Sequence, residues 1–247
     1  MYIIGDIGNT DVKICLFSKN NRLVKKLILK TSLINKKYLK KKFSFFFNKK
    51  LYINNIIFSS VVPSVHKIIR LFLEQKLKIK SIEVKQFNLS KLIKINVNRK
   101  QVGSDRLCNA IAVNDNKNNY IIIDFGTATT FDIIVKNKYL GGIIAPGLSL
   151  SLNTLISKAS LIPSLKLKKV NNILGKNTIY AVRSGFYWGY IGLVQSIIDK
   201  ITTQTKKNYK IVLTGGYSHL FIKSIRQKVK IDKDITIKGL LKISKLL

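Results

Sequence analysis

The chain has 247 residues, 46% of them hydrophobic, and a formal net charge of +34. This hydrophobic content supports a packed core and excludes disorder as a description of the whole chain. No apolar run approaches the roughly 20 residues that a membrane-spanning helix needs, and no charged leader precedes the first apolar run. We therefore expect a cytoplasmic protein without a membrane partner.

The positive charge raises the question of a nucleic-acid partner, because basic surfaces attract polyanions. The lysines, however, are scattered through every segment, and the densest run, residues 36–42, falls on a predicted surface helix. We interpret this run as a solvated basic face rather than a specific RNA or DNA site. Salt-sensitive, non-specific binding is the contact with nucleic acid that so much charge predicts.

The chain opens with an apolar strand that runs into Asp6, Ile7 and Gly8, followed by small polar residues. Further strands are predicted at residues 12–17 and 23–29. On its own, Asp-x-Gly is more often a tight turn than a functional site. A glycine turn beside hydroxyl groups can nevertheless hold phosphate oxygens through its backbone N–H groups.

The rest of the first half alternates helices and strands. We predict one helix from Thr31 or Ser32 to about residue 48, with either hydroxyl as its cap. A strand at 51–58, a helix at 64–77 opened by Pro63, a strand near 82–84 and a helix from about Gly103 follow. The polar, turn-rich residues 114–119 mark a boundary, so we predict two lobes, 1–116 and 117–247.

The second half repeats the opening of the first. Residues 121–123 form an apolar strand that ends in Asp124, Phe125 and Gly126, and strands are predicted again at 130–135 and 138–144. Helices at 149–158 and 178–203, a strand at 210–216, and a last strand and helix complete the lobe. Two Asp-x-Gly hairpins, one opening each half, predict a duplicated α/β domain with two phosphate-binding turns facing a cleft.

Few motifs in the sequence could supply the phosphate-binding and proton-accepting groups of the predicted site. No Walker A motif and no G-x-G-x-x-G after a strand is present, so the hairpins have to supply the phosphate contacts. Residues 214–216 are a further glycine turn after a strand. Asp105 and Arg106 at a helix start have two open interpretations. They are either a cap with surface charge, or a proton acceptor beside an anion-binding guanidinium.

Five motifs together resemble the type III pantothenate kinase family. They occur in the family's order and span almost the whole chain, at residues 6–10, 103–106, 124–129, 141–147 and 214–216. The resemblance implies an actin-like fold of two ribonuclease H-like lobes and a homodimer. It also implies ATP-dependent phosphorylation of pantothenate to 4'-phosphopantothenate, the first step of coenzyme A biosynthesis. Mg²⁺ or another divalent metal and a monovalent cation, K⁺ or NH₄⁺, are the implied cofactors.

The resemblance also assigns roles to residues. The ATP-binding residues are Asp6, Ile7, Gly8, Asn9, Thr10, Asp11, Val12, Lys13 and Thr127. The pantothenate-binding residues are Gly103, Ser104, Asp105, Arg106 and Thr178. Asp105 is expected to be the catalytic proton acceptor, and Asp124 is expected to hold the monovalent cation. One departure lies at residues 96–101, where the family usually has a Tyr and a Pro.

The sequence leaves three alternatives to an active pantothenate kinase. A non-catalytic or regulatory relative would have no physical reason to keep Asp6, Asp105 and Asp124 near phosphates. Another kinase of the same fold would act on a different small substrate, and residues 103–106 argue against it. A nucleic-acid-binding protein would rest on charge alone, without a basic and aromatic face.

The long helix predicted from Thr178 carries more aromatic residues than one buried face needs. Gly185, Gly189 and Gly192 would let another helix approach closely, although each costs about 1 kcal/mol relative to Ala inside a helix. The helix is either a core element of one chain or half of a dimer interface.

Overall fold

The computed structural model describes residues 1–48 and 51–247 and divides the chain into two compact units. Unit 1 consists of Met1–Asn114 together with Asp234–Leu247, and unit 2 consists of Asp115–Lys233. The predicted second lobe, 117–247, runs on through residues that the structure groups with unit 1. No helix in the described part of the chain is both long and apolar enough to cross a membrane.

Unit 1 is built on a sheet in which three antiparallel strands are extended by parallel ones. The strands are β1 (Tyr2–Ile7), β2 (Asp11–Phe17), β3 (Leu23–Lys30), β4 (Asn55–Ser60) and β5 (Ser81–Glu83). Their order is β3-β2-β1-β4-β5, with β4 parallel to both β1 and β5. Consecutive residues of β1 and β4 are buried, so both faces of these strands are covered, as their continuous apolar runs predict.

The helices of unit 1 cover this sheet. They include α1 (Lys36–Lys42), α2 (Ser44–Asn48), α3 (Pro63–Leu77) and, after the short strand β6 (Lys94–Ile95), α4 (Ser104–Val113). The predicted single helix from Thr31 or Ser32 was wrong. Asn35 caps α1 instead, its side-chain oxygen accepting a hydrogen bond from Tyr38 N at 2.9 Å. Thr31 bonds to the first hairpin, as described below.

Unit 2 follows the same strand plan. Its strands are β7 (Asn119–Phe125), β8 (Ala128–Val135), β9 (Lys138–Pro146), β10 (Lys210–Gly215) and β11 (Val229–Ile231). They lie in the order β11-β10-β7-β8-β9, with β10 parallel to β7. The helices are α5 (Leu148–Lys158), α6 (Thr178–Thr205) and α7 (Ser218–Phe221). Because a parallel strand lies beside the first strand of each antiparallel set, the predicted duplicated α/β fold is confirmed.

The last helix, α8 (Ile235–Ile243), packs on α4 inside unit 1. Gly239 permits the contact, since a Cβ at that position would lie 1.9 Å from Cys108 O. Buried Thr236 donates a hydrogen bond to Asn109 Oδ1 at 2.8 Å. The helix that carries Asp105 is therefore held from behind by residues more than 120 positions later in the sequence.

Candidate functional site

The first Asp-x-Gly motif lies where β1 ends. Asp6 is paired with Lys13 across the antiparallel ladder and with Ser59 across the parallel one. Residues paired in this way point to the same face of a sheet. The side chains of Lys13, Asp6 and Ser59 therefore form a row across β2, β1 and β4, near the end of β1.

Burial dominates the protonation of Asp6. Loss of water raises its pKa from 3.8 to about 7, while the positive charge of Lys13 lowers it and the negative charge of Asp105 raises it further. Asp6 and Asp105, two predicted site carboxylates of unit 1, are therefore near enough to influence each other's charge. Such a buried carboxylate favours a bound cation, because a positive charge stabilises its ionised form.

The turn after Asp6 is held open by hydrogen bonds at its base. Gly8 N donates to Asp11 O at 3.1 Å, and Thr31, the residue that follows β3, supports the loop. Its hydroxyl donates to Gly8 O at 2.7 Å and its backbone N–H to Thr10 O at 3.1 Å. Asn9 and Thr10 are exposed at the tip. The predicted ATP-binding turn thus presents its tip to solvent on a fixed base.

Asp105 lies in the first turn of α4, with Gly103 as the capping residue. The backbone N–H of Arg106 donates to Asp105 Oδ1 at 2.8 Å. A Cβ at Gly103 would lie 2.4 Å from that same oxygen, so the carboxylate folds back over Gly103 and a side chain there would displace it. Burial raises the pKa of Asp105, although the N–H bond and the Arg106 guanidinium oppose the shift.

Ser104, a predicted pantothenate-binding residue, has its hydroxyl group bonded inside unit 1. It is fully buried and donates a hydrogen bond to Glu83 Oε1. Glu83 had no signal in the sequence, because a single glutamate at the end of a three-residue strand fits no motif.

The second Asp-x-Gly motif lies where β7 ends. Asp124 is paired with Thr130 on one side and with Thr214 on the other. Gly126 N closes the turn by donating to Ala128 O at 3.1 Å. The row across these strands consists of one carboxylate and two hydroxyls, all of them hard oxygen donors.

Two glycines pack tightly against this second turn. Gly215 has φ +84°, and a Cβ there would lie 2.5 Å from Asp124 Oδ1. A Cβ at Gly147 would lie 1.8 Å from Thr127 O. The motifs at residues 141–147 and 214–216 therefore approach the second turn through Gly147 and Gly215, where the close contact leaves no room for a side chain.

Comparison with known proteins decides the family. The sequence profile described as type III pantothenate kinase matches residues 2–200. A type III pantothenate kinase of Pelagibacter ubique (strain HTCC1062) is 53% identical over all of both chains. This chain belongs to the type III pantothenate kinase family.

Solved structures extend the likeness at the level of fold. The ethanolamine utilization protein EutJ from Carboxydothermus hydrogenoformans matches with a TM-score of 0.60, 11% identity and coverage of 96% of this chain and 88% of that chain. The activator of the 2-hydroxyisocaproyl-CoA dehydratase from Clostridium difficile, solved with bound ADPNP, matches with a TM-score of 0.53, 12% identity and coverage of 99% and 94%. These likenesses show the actin-like kinase fold and nothing about substrate.

The two units divide the family's motif residues between them. Unit 1 holds residues 6–13 and 103–106, and unit 2 holds Asp124, Thr127 and Thr178. Thr178 is the exposed first residue of α6, next to its cap Asn177. Among the described residues, no group of three or more His, Cys, Asp or Glu side chains is placed to hold a metal ion.

Sequence reasoning missed the residues that complete each row, namely Ser59, Thr130 and Thr214. Thr130 and Thr214 belong to segments already singled out, yet only the strand pairing shows that they flank Asp124. Ser59 lies in a strand without any motif. Its signal is the register of β4 against β1, which a single sequence does not contain.

Proposed function

We propose that this chain phosphorylates pantothenate at the expense of ATP, the activity for which its family is named. The observation that carries the proposal is the pair of partly buried carboxylates in unit 1. Asp6 lies beside a turn suited to phosphate, and Asp105 lies on a helix start beside Arg106. The free cytoplasmic pool of ATP makes the cytoplasm the proposed location.

Asp105 is the proposed proton acceptor. Phosphoryl transfer passes through a loose transition state, so positioning and charge stabilisation do most of the work. The carboxylate accepts the proton of the pantothenate hydroxyl as the oxygen attacks the γ-phosphorus. The bond from that phosphorus to the β,γ-bridging oxygen breaks, and ADP leaves. A raised pKa makes Asp105 a stronger base than a free aspartate, and Arg106 contributes a positive charge for an anionic substrate group.

The two turns are the proposed ATP contacts. The first presents Gly8, Asn9 and Thr10, and the second presents Gly126 and Thr127 to the phosphates through backbone N–H groups and hydroxyls. Lys13, paired with Asp6, adds a positive charge at the base of the first turn.

The residues present fit the cations that the family implies. Asp124 with Thr130 and Thr214 offers oxygen donors that suit a monovalent cation such as K⁺. Asp6, with its raised pKa, would hold a divalent metal such as Mg²⁺ beside the phosphates. When bound, these ions neutralise phosphate charge.

A coupled assay with pantothenate, ATP, magnesium and potassium tests the proposal. Asp105→Asn should lower turnover by about 10²–10⁴, while binding of ATP, measured by calorimetry, stays within a few-fold. Asp199→Asn, which removes a surface partner of Arg226, is the matched control and should keep full turnover. More than a tenth of the wild-type rate in Asp105→Asn would show that Asp105 is not the base.

We also propose a homodimer, supported by the exposed face of α6. Gly185, Gly189 and Gly192 lie on that face, and nothing approaches within 4 Å of the Cβ that each lacks. Trp188 and Tyr180 remain 37% and 54% exposed on the same helix. Large exposed apolar side chains beside a glycine stripe suit a second copy of the helix.

The dimer proposal includes a site completed by the neighbouring chain through Thr178. Asp105→Asn and Thr178→Arg, each inactive alone, should partly restore activity when mixed, because one site of the heterodimer then carries neither change. Sedimentation and subunit exchange with labelled chains verify that heterodimers form. Absence of recovery in a verified heterodimer would mean that each site is built from one chain.

A further inference from the structure

Two short 3₁₀ turns of unit 1 are fastened to each other just before α4 begins. One turn spans Val84–Gln86 and the other spans Arg99–Gln101. The guanidinium of Arg99 donates through Nη2 to three carbonyl oxygens of the first turn and its end, those of Val84 (3.4 Å), Lys85 (3.0 Å) and Phe87. Lys85 Nζ returns a bond to Lys100 O at 3.2 Å. The segment that leads into Gly103 is therefore tied down along its length.

Glu83 joins the same structure to the catalytic helix. Its Oε1 accepts the hydrogen bond of Ser104, and its Oε2 accepts from Lys85 N at 2.7 Å. Its own backbone N–H donates to Gln86 Oε1 at 2.8 Å, which completes a capping box. One carboxylate thus links the end of β5 to a 3₁₀ turn and to the first residue of α4.

We propose that Glu83 is a positioning residue for Asp105 and that Arg99, which joins the two 3₁₀ turns, supports it. The hydrogen bonds of Glu83 and Arg99 together are called the clamp below. This inference rests on the proposed role of Asp105 as the proton acceptor. Ser104 is the residue before Asp105, so the bond from Glu83 fixes the backbone from which the Asp105 carboxylate projects. A displacement of about 1 Å at a reacting group costs on the order of 10²-fold in rate.

The rest of α4 does not depend on the clamp. Leu107, Cys108 and Ile111 are buried in the core, and Gly239 of α8 lies directly against the helix. Loss of the Glu83 bond should therefore loosen the first turn of α4 while the helix stays folded. The expected defect is in turnover rather than in folding or in ATP affinity.

The chemistry of Ser104 provides a rescue test. A serine hydroxyl both donates and accepts, so in Glu83→Gln the hydroxyl can turn to accept from the new amide N–H₂. The amide oxygen then accepts from Lys85 N. Both bonds survive without the negative charge, whereas Glu83→Ala loses both.

Glu74 offers a matched control. It is another glutamate fastened to β5, and its Oε1 accepts from Ser81 N and from Ser81 Oγ, both at 2.8 Å. Removing it takes away two hydrogen bonds of the same kind, but none of them reaches α4. Glu74→Ala should therefore retain the wild-type kcat at equal folded fraction.

The experiment measures kcat, KM for ATP and thermal unfolding for wild type, Glu83→Ala, Glu83→Gln, Glu74→Ala and Asp105→Asn. We expect Glu83→Ala to lower kcat by about 10- to 100-fold with KM for ATP within about twofold of wild type. Glu83→Gln should recover to within about threefold of wild type, because both hydrogen bonds remain.

Two results would overturn the inference: wild-type kcat in folded Glu83→Ala, or a Glu83→Gln variant as slow as Glu83→Ala. If Glu83→Ala does not fold, Arg99→Ala replaces it. Wild-type kcat in Arg99→Ala would then overturn the proposed clamp. Failure of the proposed function looks different, because Asp105→Asn would then stay active whatever the Glu83 variants do.

Discussion

The turn after β1 and the turn after β7 occupy the same place in the strand plan of their units, and each follows an aspartate. They differ in what stands beside that aspartate. Asp6 is paired with Lys13 and Ser59, whereas Asp124 is paired with Thr130 and Thr214. The strand plan of the two halves is alike, but one carboxylate lies between a lysine and a hydroxyl in the sheet and the other lies between two hydroxyls.

The supports of the two turns differ as well. Thr31 holds the first turn by two hydrogen bonds, and Gly147 supports the second by close backbone contact with Thr127. A duplicated hairpin can thus keep its carboxylate and its shape while the interactions that maintain them diverge. Variants that treat the two turns in parallel can measure this difference.

The largest expected effect is at Asp6. Asp6→Asn should lower turnover by at least about 10²-fold, since phosphoryl transfer depends on charge at the metal and phosphates. The same variant should be more stable than wild type at pH 8. Burial raises the pKa of Asp6 to about 7 in the folded chain, so the unfolded chain loses this proton at lower pH than the folded chain does. The free energy of unfolding of wild type therefore falls as pH rises from about 4 to 7, and Asp6→Asn avoids this loss.

Urea unfolding of wild type and Asp6→Asn at pH 5 and pH 8 measures this stability effect. The gain from Asp6→Asn should be on the order of 2 kcal/mol at pH 8 and smaller at pH 5. An equal gain at both pH values would show that the ionisation of Asp6 is not its source.

The second expected effect is cation dependence at Asp124. Replacing K⁺ by tetramethylammonium at equal ionic strength should lower wild-type turnover by more than about tenfold, because a bulky cation cannot enter a site of close oxygen donors. Asp124→Asn should lower turnover in K⁺ and respond little to the replacement. Full wild-type activity in tetramethylammonium would contradict the assignment of Asp124.

The smallest expected effects concern the supports of the two turns. Gly147→Ala should cost about 1–3 kcal/mol of folding free energy, because its Cβ would overlap Thr127 O at 1.8 Å. Thr31→Val keeps the shape of the side chain and removes one hydrogen bond to Gly8 O, which costs about 1 kcal/mol. Urea unfolding ranks the two variants, and a larger loss of unfolding free energy in Thr31→Val than in Gly147→Ala would contradict the expected order.

Much of the fold could be predicted from the sequence because runs of β-branched residues mark its strands. The two Asp-x-Gly hairpins, the helix opened by Pro63 and the long helix from Thr178 all appear with nearly the predicted bounds. The helix predicted from Thr31 or Ser32 did not, because Thr31 bonds to the first turn and Asn35 takes the cap. The helix-capping propensity of Thr31 was therefore overridden by its hydrogen bond to the first turn.

The candidate site was less predictable, for a different reason. Asp6, Asp105 and Asp124 stand in motifs that the sequence displays. Glu83 and Ser59 act through register and through a hydrogen bond to a residue 21 positions away, and neither leaves a local pattern. The grouping of α8 with unit 1 also depends on a long-range contact, that of Gly239 with Cys108.

That contact sets an order of events during synthesis. Unit 2 is continuous in sequence, whereas unit 1 is interrupted by it and is completed by residues 234–247. A ribosome delivers the chain from its N-terminus, and domains fold as they emerge. The sheet of unit 1 can therefore form early, but α4 stays uncovered where Gly239 will lie until all of unit 2 has been made. A translational pause within unit 2 would expose that surface of α4, and the nascent chain would be most prone to aggregation at that stage.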